Sequence, residues 1–221
     1  MTAPASAKDR ALIFQGGWPG HVPAEFAVLL AGCLRAHGIA ADIRDTLDGL
    51  EDAERLRRDY SLIVPCWTMG ALSATQSAGL REAVRGGVGL GGIHGGMGDA
   101  FRGDIDYEWM VGGHFVGHPH VGEYEVQVAD AAHPITQGLP AAFPYRSEQY
   151  YMLMDPSVHV LADTPYHHDG ATVTVPVAWT KQWGAGRVFY SSLGHATTEF
   201  SEHPAALELT TRGLLWAAGR L

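Results

Sequence analysis

Cysteine is almost missing from this sequence: Cys33 and Cys66 are the only two among 221 residues. They lie in different segments without metal-type spacing, which excludes a disulfide framework and a thiolate metal centre. Both are expected to be reduced and buried. Positive charge is also scarce, with 15 Lys+Arg against 24 Asp+Glu and a net charge of -9. A chain so short of cations lacks the basic surface that phosphate backbones require, so nucleic acid is excluded as a partner. Long apolar runs are absent too. Nothing approaches the length of a membrane span, and the run Ala11–Phe14 after the small, polar stretch Met1–Arg10 is too short for a signal peptide's core. A soluble, cytoplasmic protein is expected, with no membrane contact. Charged residues make up only 18% and hydrophobic ones 46%, the balance of an ordinary folded protein. A single domain over 1–221 is the simplest organisation.

What the chain has in excess is glycine, 28 residues, and histidine, 12 residues. Glycine marks tight turns, and histidine is the residue most used for proton transfer or metal binding near neutral pH. The first half reads as alternating strands and helices: strand Ala11–Gln15, helix Pro23–His37 closed by Gly38, strand Ile39–Ile43 and strand Asp59–Pro65. Ser73 and Gln76 form a capping box that opens a helix to about Arg85, and strand Val88–Ile93 follows. This alternation predicts an α/β fold, a three-layer α/β/α arrangement around a mostly parallel sheet. In the second half, 97–120 reads as a long excursion over the sheet edge. Strands are expected at Gly122–Val128, 157–162, 174–180 and 187–192, and a last helix at Pro204–Ala218.

The strand Val88–Ile93 runs into Gly-Ile-His-Gly-Gly, with His94 at its end. A strand ending in Gly-x-(reactive residue)-x-Gly has the form of a nucleophile elbow, except that the nucleophile is replaced by imidazole. Acyl-enzyme chemistry is thereby disfavoured, and acid/base chemistry or metal ligation is favoured. His195 stands at the end of the last strand and would project from the same sheet edge. Gly112–His120 carries His114 and His118, which serve as substrate contacts or metal ligands, or simply as loop histidines bonded to carbonyls. Glu148 lies among aromatics, suited to general acid/base work or to binding sugar hydroxyls, and Tyr150 is beside it. Glu199 is placed to orient the His195 ring. Trp18 and Trp67 fall in loops at strand ends, where their faces suit sugar rings. His133 is read as a local cap, and His167-His168-Asp169-Gly170 as an exposed turn. No cofactor is demanded. A divalent metal such as zinc, held by His94, His118 and His195, is the alternative. A homo-oligomer is the default expectation.

Six segments in order, Gly-Ile-His-Gly (92–95), Gly-Gly-x-Phe-x-x-His-Pro (112–119), His-Pro-Ile-Thr-x-Gly-Leu (133–139), Glu-x-Tyr (148–150), Pro-Val-Ala-Trp (176–179) and Gly-x-Gly-Arg-Val-Phe-Tyr-x-x-x-Gly-His (184–195), resemble the ThuA-like trehalose-utilisation family. The resemblance covers most of the chain. It implies a variant of the flavodoxin-like class I glutamine amidotransferase fold, with His94 on the position of that superfamily's cysteine and His195 on its histidine. Cys33 and Cys66 match neither position, so glutaminase activity is not implied. The family implies sugar catabolism, with a keto-disaccharide or related glycoside as small-molecule substrate; on such a substrate His94, His195 and Glu148 are the groups expected to carry acid/base chemistry. The rival reading is a non-catalytic sugar-binding or regulatory domain that has lost its nucleophile. A metal-dependent hydrolase is a third.

Overall fold

A computed structural model describes residues 9–221. The polar stretch 1–8, on which the reading of the N-terminus rests, lies outside the described residues. In chain order the elements are β1 (Arg10–Gly17), α1 (Pro23–Ala36), β2 (Ala40–Arg44), α2 (Ala53–Asp59), β3 (Leu62–Thr68), α3 (Ala74–Arg85), β4 (Gly89–Ile93) and α4 (His94–Gly98). They continue with α5 (Ile105–Val111), β5 (Gly113–Val128), β6 (Ala142–Met154), β7 (His159–His168), β8 (Ala171–Trp183), β9 (Gly186–Ser191), α6 (Thr197–Glu202) and α7 (Pro204–Ala217).

All nine strands share one sheet in the order β2-β1-β3-β4-β9-β8-β7-β5-β6. The five strands from β2 to β9 run parallel. From β9 to β6 every pairing is antiparallel. The expectation of a mostly parallel sheet therefore holds for one half only. Hairpin turns explain the other half: Asp169 and Gly170 both adopt positive φ (47° and 79°), the backbone of a tight turn that reverses β7 into β8. His167 and His168 are exposed at this tip, as the turn reading anticipates.

Alternation along β1 divides the core. Ala11 and Ile13 pack with α1 and α7, while Leu12 and Phe14 pack on the other face with residues of α2, α3 and α5. Helices thus cover both faces of the parallel half, and β3 and β4 are buried almost throughout, as strands covered on both sides must be. The capping box of Ser73 and Gln76 is present in full. Helix α2, unread in the sequence, begins where the Asp52 side chain accepts the Arg55 amide N–H. Cys66 is buried, and desolvation pushes its thiol up to about 12. Cys33 is only half-buried, a correction to the sequence reading.

The segment 97–120, expected as a long excursion over the sheet edge, has regular structure of its own. It contains α5, opened by the Asp104 side chain on the Tyr107 amide, and the first half of β5. Strand β6 has no counterpart in the sequence reading, although Phe143, Tyr145 and Ser147 alternate buried with exposed neighbours. β5 and β6 form a long ribbon that joins β7 only through Gln127 and Val128. Its far end therefore reaches beyond the sheet plane toward the carboxyl ends of the parallel strands. No helix among the described residues is long and apolar enough to cross a membrane.

Candidate functional site

The elbow is real in geometry. His94 follows β4 directly and adopts φ 43°, a left-handed conformation costly for a residue with a Cβ. Such strain is of order 1–3 kcal/mol and persists only where the surroundings over-determine it. The neighbouring glycines are required by close approach. A Cβ on Gly95 would stand 2.4 Å from the His21 ring and 3.0 Å from the Tyr150 hydroxyl, and one on Gly92 would meet Met97 at 2.7 Å. The bare backbone at 95 is what lets His21, from the short 3₁₀ turn Pro19–His21 after β1, approach His94.

Four side chains converge. Glu148 Oε2 lies 3.2 Å from His94 Nε2, 3.5 Å from His195 Nδ1 and 3.9 Å from His21 Nε2. One donor atom from each of the four residues falls within 4.8 Å of every other. The His94 ring packs edge-on against His21 at 4.7 Å and His195 at 5.5 Å, and stacks on Tyr150 at 4.0 Å. His118 approaches the other carboxylate oxygen, with Nε2 3.6 Å from Oε1. Strand β5 shifts register between Phe115 and Gly117 and again between Gly117 and His120, and His118 lies within the second irregularity.

Hydrogen bonding fixes the protonation of His94. Its Nδ1 lies 2.8 Å from the Ser192 carbonyl, which can only accept, so Nδ1 carries the proton. Burial lowers the pKa of this fully enclosed ring and favours the neutral form, although Glu148 and the Ser192 bond oppose it. Neutral His94 then turns a lone pair at Nε2 toward a carboxylate lone pair at 3.2 Å. Two acceptors at that distance need a proton or a cation between them. Burial alone would raise the carboxyl of Glu148, but the imidazoles gathered around it, His195 first and then His21 and His94, outweigh this and hold it well below the usual range. The same carboxylate raises His195. Nδ1 of His195 is buried and makes no well-formed hydrogen bond.

Of the residues singled out in the sequence, His94, His195, Glu148, His118 and Tyr150 meet here, and Trp18 joins them through an edge-on contact with His21 at 4.7 Å. Tyr150 is buried as a wall, whereas Trp18 is 43% exposed. Trp67 packs beneath Gly16 and Gly70, which have no side chains to obstruct it. His114 stands apart, half exposed, with Nδ1 3.1 Å from Glu108. Glu199 does not touch the His195 ring. It accepts the His195 backbone N–H at 3.1 Å, the Tyr145 hydroxyl at 2.6 Å and the Ser147 hydroxyl at 2.9 Å, fixing the loop that carries His195. His133 accepts the Ile135 amide, the local cap expected of it.

The ligand-competent group therefore contains His21 in place of His118. The sequence held one signal for His21: it ends the glycine- and proline-rich turn at the carboxyl end of the first strand. Its partners lie 73 and more residues away, so nothing local paired it with them. Three imidazoles and a carboxylate are a donor set that suits a divalent transition metal, and the unsatisfied His195 nitrogen and the facing lone pairs at His94 and Glu148 fit one.

Residues 10–217 match the family model ThuA, described as trehalose utilisation. A putative ThuA-like protein from Bacteroides uniformis superposes with a TM-score of 0.77 at 22% identity, covering 98% of this chain and 94% of that one. A second putative ThuA-like protein, from Parabacteroides merdae, gives 0.73 at 19% identity, with 95% and 89% covered. A protein described as cytoplasmic, from Salmonella typhimurium, gives 0.64 at 14% identity, with 95% and 98% covered. No curated protein matches. With the family model spanning the chain from its first strand to its last helix, this protein belongs to the ThuA, or trehalose utilisation, family.

Proposed function

We propose that this protein is a metal-assisted enzyme of disaccharide utilisation that moves a proton on a keto-sugar. The observation that carries this reading is the convergence of His21, His94, His195 and Glu148 on one point at the elbow. These four residues would hold a divalent ion such as zinc, and a bound ion supplies Lewis acidity, polarising a carbonyl and stabilising the enediolate that forms beside it. A carbonyl acidifies the neighbouring C–H, so the residues around the centre need only remove a proton and deliver one. Glu148 and His118 are the pair for this, because Oε1 faces His118 Nε2 while Oε2 faces the other imidazoles. His118 is part exposed and links the buried carboxylate to solvent.

Access is from the outer side. The void beneath His21 and His94 is about 10 Å³, room for one water at most, so a sugar must approach where Trp18 stands exposed and His118 part exposed. Trp18 offers its face to the ring. A non-catalytic sugar-binding domain would have no use for a buried carboxylate ringed by imidazoles, which costs stability unless a charge is to be held there. In the same reading the helix-covered sheet is a three-layer, flavodoxin-like relative of the class I amidotransferases, with His94 in place of the cysteine.

Metal analysis of purified protein tests the first half: about one equivalent of a divalent metal is expected, lost in Glu148→Gln. Incubation with 3-keto-trehalose in deuterated water tests the second. Deuterium should enter at the carbon beside the carbonyl, and a metal-loaded protein that gives no exchange and no product would sink the assignment.

A further inference from the structure

The opposite end of the sheet carries a second cavity, of about 510 Å³, framed by the amino ends of β3, β4 and β9 and by the end of α7. About 17 Å of strand β4 separates it from His94. Three arginines reach it from three separate elements: Arg57 from α2, Arg187 from β9 and Arg220 from the segment after α7. No Asp or Glu is among its lining residues. In a chain of net charge -9, this is a local inversion of sign.

Helix ends account for part of this arrangement. Arg57 Nη1 donates to the Glu82 carbonyl at 3.3 Å near the end of α3, and Arg187 Nη1 donates to the Trp216 carbonyl at 3.2 Å near the end of α7. A guanidinium has five N–H donors, so these bonds occupy one of five on each. Each of these two helix ends carries only about half a negative charge and Asp9 pairs with Arg220, so about one of the three positive charges stays uncompensated, together with the unused N–H donors of Arg57 and Arg187. Arg187 is further fixed over the Trp216 ring at 5.1 Å, and Arg220 is tied to Asp9. Anchored guanidinium groups with free donors are the usual means of recognising phosphate oxygens. The volume lies within the range of small-molecule sites and exceeds what a bare oxyanion fills. Val88, Ala185 and Ala217 line the remainder.

We propose that this cavity binds a phosphate monoester, a phosphorylated small metabolite whose phosphate sits between Arg57, Arg187 and Arg220. The proposal is independent of the chemistry at the histidine centre. Isothermal titration with glucose 6-phosphate, inorganic phosphate and glucose, at low and at high salt, tests it. Glucose 6-phosphate should bind at least tenfold more tightly than inorganic phosphate, glucose should not bind, and added salt should weaken the interaction. Arg57→Gln and Arg187→Gln should each raise its Kd tenfold or more, and Glu148→Gln should leave it unchanged. Arg57 is exposed and packs no core, so its variant keeps the test sound if loss of Arg187 from Trp216 disturbs the fold. Absence of binding, indifference to both arginine variants, or loss of binding in Glu148→Gln would overturn the proposal. Equal affinity for inorganic phosphate would overturn the monoester assignment.

Discussion

The two halves of the sheet contribute to the centre in different ways. The parallel half supplies His21, His94 and His195 from loops at the carboxyl ends of β1, β4 and β9, each placed by a turn a few residues long. The antiparallel half supplies Glu148, His118 and Tyr150 from a ribbon whose pairing spans distant segments, with Val121 opposite Glu148. A one-residue slip in that ribbon would carry Glu148 to the other face, whereas the elbow would survive it. The imidazoles are thus fixed by local backbone chemistry, and the carboxylate that binds them together is fixed by register.

The sharpest way to break this division is to remove the one group that crosses it. Glu148→Gln removes a metal-holding group and an acid/base group together, and should lower kcat on 3-keto-trehalose by at least the roughly 10²–10⁴-fold of a lost acid/base group, with the circular dichroism spectrum unchanged. Next in size is a buried ion pair that supports the ribbon from below. Lys181 and Asp155 are both nearly buried and paired, and Lys181 also donates to the Trp109 carbonyl. Lys181→Met leaves Asp155 without its partner and should cost about 3–5 kcal/mol in urea unfolding at pH 7.

The pH dependence of that cost has a definite sign. Burial pushes the Asp155 carboxyl up, but bonds from Lys181 and Ser157 prevail and hold it below its ordinary value. A depressed folded pKa gives stability that is full above the unfolded pKa of about 3.9 and is lost as pH falls through the folded value. The gap between wild type and Lys181→Met should therefore narrow as pH falls from neutrality, because Asp155 in the variant, pushed up by burial without Lys181 to oppose it, takes up its proton before the wild-type carboxyl does. A gap that stays constant to pH 3 would show that packing, not the ion pair, carries the effect.

Within the centre, His21→Ala and His118→Ala sharpen the comparison. The first should weaken metal binding by more than the roughly 10–100-fold typical of residues outside the ligand shell. The second should leave metal content near wild type and slow turnover. The reverse result would restore the set His94, His118 and His195 expected from the sequence. Smaller again is Gly95→Ala, whose methyl group must displace the His21 ring. It should cost about 1–3 kcal/mol in thermal or urea unfolding, the usual price of overpacking. His167→Ala, at the exposed hairpin tip, should change stability by no more than about 0.5 kcal/mol.

Much of the parallel half was legible because its signals are short-range. The capping box at Ser73 and Gln76, the apolar strands and the glycines around His94 each act within one or two turns of chain. Strand β6 was not, since its buried face alternates from Phe143 through Gln149 with polar Ser147 and Gln149 in place of apolar residues, and then breaks at Tyr150, which is buried on the other face beside the centre. Glu199 shows the same limit on a smaller scale. Its spacing of four residues from His195 is visible in the chain, but whether it meets the ring or the backbone depends on Tyr145 and Ser147, more than 50 residues away.

By itself the sequence determined the class of fold, the strained turn at His94 and the replacement of a nucleophile by imidazole, because periodicity, caps and glycine act through neighbouring residues. Only the tertiary structure decided that His21 joins His94 and His195, that one oxygen of Glu148 faces all three, and that His118 is left to the other oxygen. Those choices rest on the pairing register of β5 with β6 and on the clearance above Gly95, and contacts between segments this distant in the chain exist only once the sheet has closed over them.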